Sequence, residues 1–497
     1  MGKTIVLFNP SASRYGGYVG APLGLLAVSR ELDKNNFNIR IYSSWADKDY
    51  QEKIIHDCKD GVCFGVTSMT GYQISEGLEI SRKVKEKYHD LPIIWGGYHP
   101  TILPEETVAN KNIDIVVRGQ GEMAFKELVE KISGGLEYGN IPGITYKKGN
   151  TIISNPDRDF EDTNNLKEIP YDLIDIEKYV HITELGSRTI EYVSSQGCPF
   201  NCRFCVEPVV YKNRYYALKS KRVLDEIEKL VERYGIDSVS FQDTNFFLNE
   251  QRVMEICNGL IERKIKINLG DANGRAPQMI KFSRNTWNLI KESGCKNILI
   301  GAESALQPVL DYINKNAKVE DTIELAEICS NYDISITFSL MIGLPPDKEL
   351  GVEPKEELDA IISLGRRVIS RNNIHLIMVF AYTPYPGTML YKKSMDFGFN
   401  PPKDLEGWGK IDLHSYSTPW MKEKDIFFVD YLTSFIFRYI SGYTLRYIKR
   451  QTNIIKKIRL FLLYAVANLR WKTGCFCFFL LEYRIYKTIF KIRNKKI

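Results

Sequence analysis

The sequence predicts an α/β protein in which two runs of alternating strand and helix are followed by a helical region. Three observations predict it. Short β-rich segments alternate with amphipathic helical stretches over residues 1–150, and the alternation resumes over 187–395. Residues 151–186 between them are acidic, carry Pro156 and Pro170 and show weak periodicity, as a linker does. Residues 396–497 end in a stretch where cations interleave with bulky apolar residues.

In the first run the strand-like segments are Thr4–Phe8, Asn38–Tyr42, Val62–Thr67, Pro92–Trp95 and Ile113–Arg118, with helical patterns at Leu23–Leu32 and Ile74–Tyr88. Such alternation predicts a doubly wound parallel sheet, with ligands at the carboxyl ends of its strands. Small and polar residues gather there: Asn9, then Ser68 and Thr70, then Gly96-Gly97-Tyr98-His99-Pro100, then Gly119, Gly121 and Glu122. Glycine admits a close backbone approach and the hydroxyls can bond a phosphate-bearing tail. A hairpin-like pair, Ile144–Tyr146 and Thr151–Ile153, closes this run.

After the linker comes Gly197-Cys198-Pro199-Phe200-Asn201-Cys202-Arg203-Phe204-Cys205, directly behind the apolar run Ile190–Val193. Three cysteines at Cys-x3-Cys-x2-Cys can turn three thiolates toward one point, which suits an iron–sulfur centre. A structural zinc site is the competing reading, but zinc closes its shell with four ligands and no fourth cysteine or histidine is near. A cubane held by three thiolates leaves one iron open to a non-protein ligand.

Five further strands are expected at Ser238–Phe241, Lys266–Leu269, Asn297–Ile300, Ser335–Met341 and Ile374–Phe380. Helices are expected at Arg222–Tyr234, Glu250–Arg263, Trp287–Ser293, Val319–Asn331 and Lys355–Ser370. With the strand before the cysteines this makes six β/α units, and the polar strand ends include Asp243, Asn273, Arg275, Glu303 and Gly343.

The cysteine spacing resembles that of the radical S-adenosylmethionine (radical SAM) superfamily. Gly-Gly-x-His-Pro-Thr with Arg-Gly-x-Gly-Glu resembles the cobalamin-binding domain fused to many of its members. The resemblance implies a Rossmann-like cobalamin-binding domain and then a partial (β/α)6 TIM-like barrel whose active site lies at the strands' carboxyl ends. It implies a 4Fe-4S cluster on Cys198, Cys202 and Cys205, with S-adenosylmethionine on the open iron. Phe204 would lie near the adenine, Glu303 would bind methionyl or ribosyl groups, Asp243, Asn273 and Arg275 would line the same pocket, and the turn at Gly343 would shape the adenosine site.

Cobalamin is implied over Asn9, Ser68, Thr70, Gly96, Gly97, His99, Gly119, Gly121 and Glu122. Asp-x-His-x-x-Gly, which places a histidine under cobalt, is absent, because the one Asp-x-His, at Asp412-Leu413-His414, lies far away without the glycine. No histidine lower ligand is therefore expected. For His99 a loop-capping role stands beside direct contact.

The implied activity is methylation of an unactivated carbon through a 5'-deoxyadenosyl radical and methylcobalamin. Two alternatives stay open: a radical cyclase or oxidoreductase acting on a hydrophobic lipid or tetrapyrrole, and a non-catalytic corrinoid sensor. The expected partners are a small-molecule substrate, which the tail suggests is lipid-like, and an electron donor such as flavodoxin or ferredoxin.

Ten cysteines, three of them in one tight motif, do not form a disulfide framework, and Cys58, Cys63, Cys257, Cys295 and Cys329 sit in core-like contexts. Cys475-Phe476-Cys477 has the wrong spacing for a second cluster. Met1 to Phe8 runs straight into a strand with no secretory signal, so a cytoplasmic setting is expected.

The net charge of +6 is uneven: from Arg438 onward fifteen Lys and Arg face one acid, Glu482, giving this tail +14 and the first 437 residues −8. No apolar run is long enough to span a bilayer. A basic amphipathic helix on the inner membrane surface is the preferred reading, and a helical cap packed on the barrel is the alternative. Nucleic-acid binding is not expected, since no recognised module is present.

Overall fold

The computed structural model describes residues 3–13, 20–369, 374–411, 418–441, 444–445, 448–449, 452–474, 476 and 483. Asp412-Leu413-His414, Cys475, Cys477 and the apolar run Phe478–Leu481 lie outside the described residues.

The first sheet has seven strands: β1 (Lys3–Asn9), β2 (Phe37–Ser43), β3 (Gly61–Thr67), β4 (Ile93–Gly96), β5 (Ile115–Val117), β6 (Ile144–Lys148) and β7 (Thr151–Ser154). Their spatial order is β2-β1-β3-β4-β5-β6-β7. The first five are parallel, and Ile5, Val6, Leu7 and Phe8 of β1 are all buried, as a central strand covered on both faces requires. The order reverses between β1 and β3, the switch point where doubly wound sheets open a ligand crevice. The hairpin β6–β7 extends this sheet antiparallel to β5.

The stretch expected as a plain linker forms short 3₁₀ turns at Thr163–Asn165, Tyr171–Leu173 and Ile176–Lys178. Tyr171, Ile176 and Tyr179 are buried in the main core, so it is packed structure. Its apolar residues fall at turns and carry no helical or strand period, which hid their burial.

The second α/β unit starts with β8 (Thr189–Tyr192) and a two-stranded antiparallel ribbon, β9 (Ser195–Gly197) with β10 (Tyr215–Ala217), which brackets the cysteine loop. It continues through β11 (Ser238–Phe241), β12 (Asn268–Gly270), β13 (Ala272–Gly274), β14 (Asn297–Glu303), β15 (Ser335–Ile342) and β16 (Leu376–Ala381). All neighbours in the arc are parallel, in the orders β12-β11-β8 and β13-β14-β15-β16.

The third expected strand is therefore two short ones, parted at Asp271, whose φ of 57° is left-handed and cannot continue a strand. Asp271 is held there by Asn297, whose Oδ1 accepts from the Asp271 amide at 2.6 Å and whose Nδ2 donates to Oδ1 at 3.0 Å. The result is the expected six-unit partial barrel.

In the C-terminal region, a helix over Glu423–Tyr431 runs through a π-helical turn at Leu432–Phe437 into Arg438–Ile440, and Leu432, Phe435, Ile436 and Phe437 are buried against the barrel core. A 20-residue helix, Ile454–Thr473, lies against it. No described helix is long and apolar enough to cross a membrane.

Candidate functional site

A cavity of about 490 Å³ opens at the carboxyl ends of β1, β3, β4 and β5. Asn9, Gly96, Gly97, Gly119, Gly121 and Glu122 all line it. Its far wall belongs to the second unit: Gln196 stands two residues before the first cysteine, Val210 and Tyr211 follow the last one, and Gln242 directly follows β11. One open cavity thus touches the first sheet and both flanks of the cysteine loop.

Glycines shape the floor. A Cβ on Gly24 would make only ordinary contact, with Thr67 Oγ1 at 3.9 Å, and one on Gly119, whose φ is +67°, would touch the Phe160 ring at 4.0 Å. Gly97 is different: its φ is +100° and a Cβ there would sit 2.7 Å from the Ser68 carbonyl oxygen. It lets the chain turn from β4 into the helix Tyr98–Ile102 directly over the Ser68 backbone, whose oxygen accepts from the His99 amide at 3.2 Å.

Ser68, Thr70 and His99, expected at the ligand, lie one layer beneath the cavity lining. His99 is fully buried, its Nδ1 is 3.0 Å from Thr70 Oγ1, and its ring packs on Trp408 at 5.6 Å. Burial pushes its pKa down to about 4, so the imidazole is neutral. Its Nε2 and the Ser68 hydroxyl are buried with no protein partner. Glu122 reaches the cavity wall but spends its carboxylate on Arg30, at 2.6 Å in a pair whose side chains are 4% and 5% exposed.

On the barrel side, Asp243 is fully buried and its carboxylate accepts from the Ser194 amide (2.9 Å), Ser194 Oγ (2.6 Å) and Ser195 Oγ (2.5 Å). It therefore braces the segment that leads into the cysteine loop. Asn273 donates to the Asp243 backbone oxygen at 2.9 Å.

Arg275 lies against the loop itself. Its guanidinium stacks 3.8 Å from the Phe200 ring centroid, Nη1 donates to Cys202 Sγ at 3.4 Å, and Nη2 donates to the Lys315 carbonyl. The Lys315 ammonium in turn binds Glu303 Oε1 at 2.8 Å, and Glu303 has a left-handed φ of 61° at the bulged end of β14. A chain of contacts therefore runs from Cys202 through Arg275 and Lys315 to Glu303. Phe204 packs against the same apolar cluster as Leu344, next to Gly343. Gly343, at φ +76°, receives Trp420 Nε1 on its carbonyl at 2.9 Å and donates its amide to buried Glu357 at 3.1 Å.

Cys198, Cys202 and Cys205 are free thiols; burial pushes Cys198 up, against the opposing Phe200 amide and Arg275, and pushes Cys205 up to about 12. Among the described residues no three His, Cys, Asp or Glu side chains are gathered closely enough to hold a single metal ion. Three neighbouring free thiols with an arginine beside one of them, and no fourth cysteine or histidine gathered with them among the described residues, fit a thiolate-bound cluster better than one tetrahedral zinc. The five thiols expected in the core, Cys58, Cys63, Cys257, Cys295 and Cys329, are buried.

Tyr98 falls in a strand end already expected to face a ligand, whereas Gly24, Tyr211 and Gln196 on the cavity wall were not expected there. Gln196 and Tyr211 flank the cysteine motif, a signal that was available, whereas Gly24 sits inside a helix where nothing local distinguishes it.

A family model of the Radical SAM superfamily matches residues 192–353, and one of the B12 binding domain matches residues 14–129. Residues 192–353 thus match a Radical SAM domain and residues 14–129 a B12 binding domain. The chain is 29% identical over 399 residues to an uncharacterized methyltransferase of Pyrococcus horikoshii, covering 78% of this chain and 82% of that protein. It is 25% identical over 340 residues to an anaerobic magnesium-protoporphyrin IX monomethyl ester cyclase of Rubrivivax gelatinosus, covering 67% of this chain and 58% of that one.

Two solved structures share its fold. The radical S-adenosylmethionine methyltransferase TsrM of Kitasatospora setae, with cobalamin and a [4Fe-4S] cluster bound, aligns with a TM-score of 0.62 at 18% identity, over 80% of this chain and 75% of that one. The cobalamin-dependent radical enzyme OxsB with aqua-cobalamin bound aligns at 0.70 and 16% identity, over 95% of this chain and 72% of that one.

Proposed function

We propose that this protein is a cobalamin-dependent radical SAM methyltransferase acting on an unactivated carbon of a small molecule. The observation that carries this reading is the cavity of about 490 Å³, whose walls come from the cobalamin-type strand ends on one side and from both flanks of the cysteine loop on the other. A corrinoid held there has the radical-generating loop as its neighbour.

When bound, S-adenosylmethionine on a three-cysteine cluster would supply a radical that abstracts hydrogen from carbon, and methylcobalamin would supply the methyl group. The chain's own contribution is holding and shielding. Cys198, Cys202 and Cys205 would ligate the cluster, with Arg275 donating to the Cys202 sulfur and fixing the loop through Phe200. Phe204 and the Gly343 turn would form the apolar wall for an adenine, while Glu303, already charge-paired with Lys315, would orient the polar end of the cofactor.

Gly24 and Gly119 would leave room for the corrin, with Gly97 seating the turn on Ser68 and Tyr98 and Tyr211 closing the cavity on the loop side. Neutral, buried His99 is sequestered against Trp408, which supports a corrinoid without a histidine lower ligand. The low-potential electron would come from a flavodoxin or ferredoxin.

The likeness to a cyclase favours one second reading, radical cyclisation of a hydrophobic substrate with the same cofactors and no methyl transfer. Anaerobic protein from cobalamin-fed cells should carry near-stoichiometric corrinoid, and label from methyl-labelled S-adenosylmethionine should appear in product. Corrinoid with deoxyadenosine but no labelled product selects the cyclase reading, and iron–sulfur absorbance without corrinoid removes both cobalamin-dependent readings.

A further inference from the structure

Twelve large apolar side chains are exposed among the described residues, and six of them lie on the single helix Ile454–Thr473: Ile454, Ile455, Ile458, Phe461, Leu462 and Leu469. At 100° per residue these six fall within an arc of about 120°, one continuous stripe.

The stripe is not the face that holds the helix in place. Leu460 and Ala467 are buried on the opposite side, and Trp471, on that side too, packs edge-on to Phe437 with ring centroids 5.6 Å apart. This helix is therefore apolar on two faces, one spent on the fold and one left outward.

Charge decides what the outward face suits. The helix has no acidic residue; Arg459 and Arg470 follow one edge of the stripe, Lys457 follows the other, and Lys472 closes its C-terminal end. Residues 484–497 add six Lys or Arg and no acid. A second copy seated stripe to stripe would bring two wholly cationic helices together. The remaining acceptor for a cation-rimmed apolar stripe is a surface that is apolar within and anionic at its rim.

We propose that the helix Ile454–Thr473 docks the protein on an anionic lipid bilayer, lying in the interface with Ile455, Ile458, Phe461 and Leu462 in the acyl boundary and its cations among the headgroups. This goes beyond the catalytic reading and does not depend on it.

The test is flotation of the full-length, cluster-loaded protein with equimolar phosphatidylcholine–phosphatidylglycerol vesicles and with phosphatidylcholine vesicles. Wild type should float with the mixed vesicles, high salt should weaken this, and phosphatidylcholine alone should not carry it. The variant I455S/I458S/F461S/L462S should bind roughly tenfold more weakly or less, and K457E/R459E should lose the preference for anionic lipid. Unchanged iron content and deoxyadenosine formation in both variants show that they are folded. The proposal is overturned if wild type stays in the aqueous fraction with both vesicles, if the serine variant floats like wild type, or if wild type sediments as a dimer that the serine variant dissociates.

Discussion

Arg275 donates through Nη1 to Cys202 Sγ at 3.4 Å while its guanidinium covers the ring of Phe200, two residues earlier in the same loop. A fixed positive charge against one thiolate of a cluster stabilises the more negative state, so it raises the reduction potential. Arg275→Met should lower the midpoint of the cluster. A hydrogen bond to a charged group is worth about 1.5–3 kcal/mol, so a one-electron couple should move by at most roughly 65–130 mV. A redox titration followed by electron paramagnetic resonance checks this, and an unmoved midpoint would remove Arg275 from the site.

Arg30 and Glu122 form an ion pair that is almost entirely buried beside the cavity. Glu122→Gln leaves the guanidinium without its countercharge, at a cost of about 3–5 kcal/mol, and replacing both residues by apolar ones of similar size should restore most of that. Denaturant midpoints of the single and double variants measure the difference. If Glu122 instead served only the corrinoid, the single variant would lose corrinoid with its midpoint unchanged.

Gly97 turns β4 into the next helix at φ +100°. Gly97→Ala should strain the backbone by about 1–3 kcal/mol and push this turn off Ser68. The expected result is a fall in bound corrinoid, read from the absorption spectrum, with iron content and uncoupled deoxyadenosine formation retained, because Cys198, Cys202 and Cys205 lie in the other unit.

Burial raises the carboxyl of Glu357 from 4.5 to about 7, the Gly343 amide opposing only part of the shift. The folded state therefore holds a proton that the unfolded chain releases near 4.5. Stability from this group is complete below pH 4.5, is lost as pH rises toward 7 and is level above it, a change of about 3 kcal/mol over that window. Glu357→Gln should flatten the window, which denaturation curves from pH 4.5 to 8 will show. An equal slope in the variant would assign the pH dependence elsewhere.

Local pattern carried much of this protein. Buried runs such as Ile5–Phe8, the helical periods between them and the order of six β/α units follow from side-chain periodicity, which sequence displays directly. The Cys-x3-Cys-x2-Cys spacing likewise marks the loop in the sequence itself.

Tertiary structure decided which side chains face a ligand. Asp243, Glu122 and His99 are polar residues at strand ends, yet Ser194 and Ser195, Arg30, and Thr70 with Trp408 respectively claim them. These partners lie between 29 and 309 residues away along the chain. Polar residue type announces that a group needs a partner when buried, and only packing determines whether that partner is protein or ligand. The same reason separates the two apolar faces of the last described helix: the sequence displayed an apolar, cationic segment, and the position of the barrel decided that Leu460 and Ala467 face inward and Ile458 and Leu462 outward.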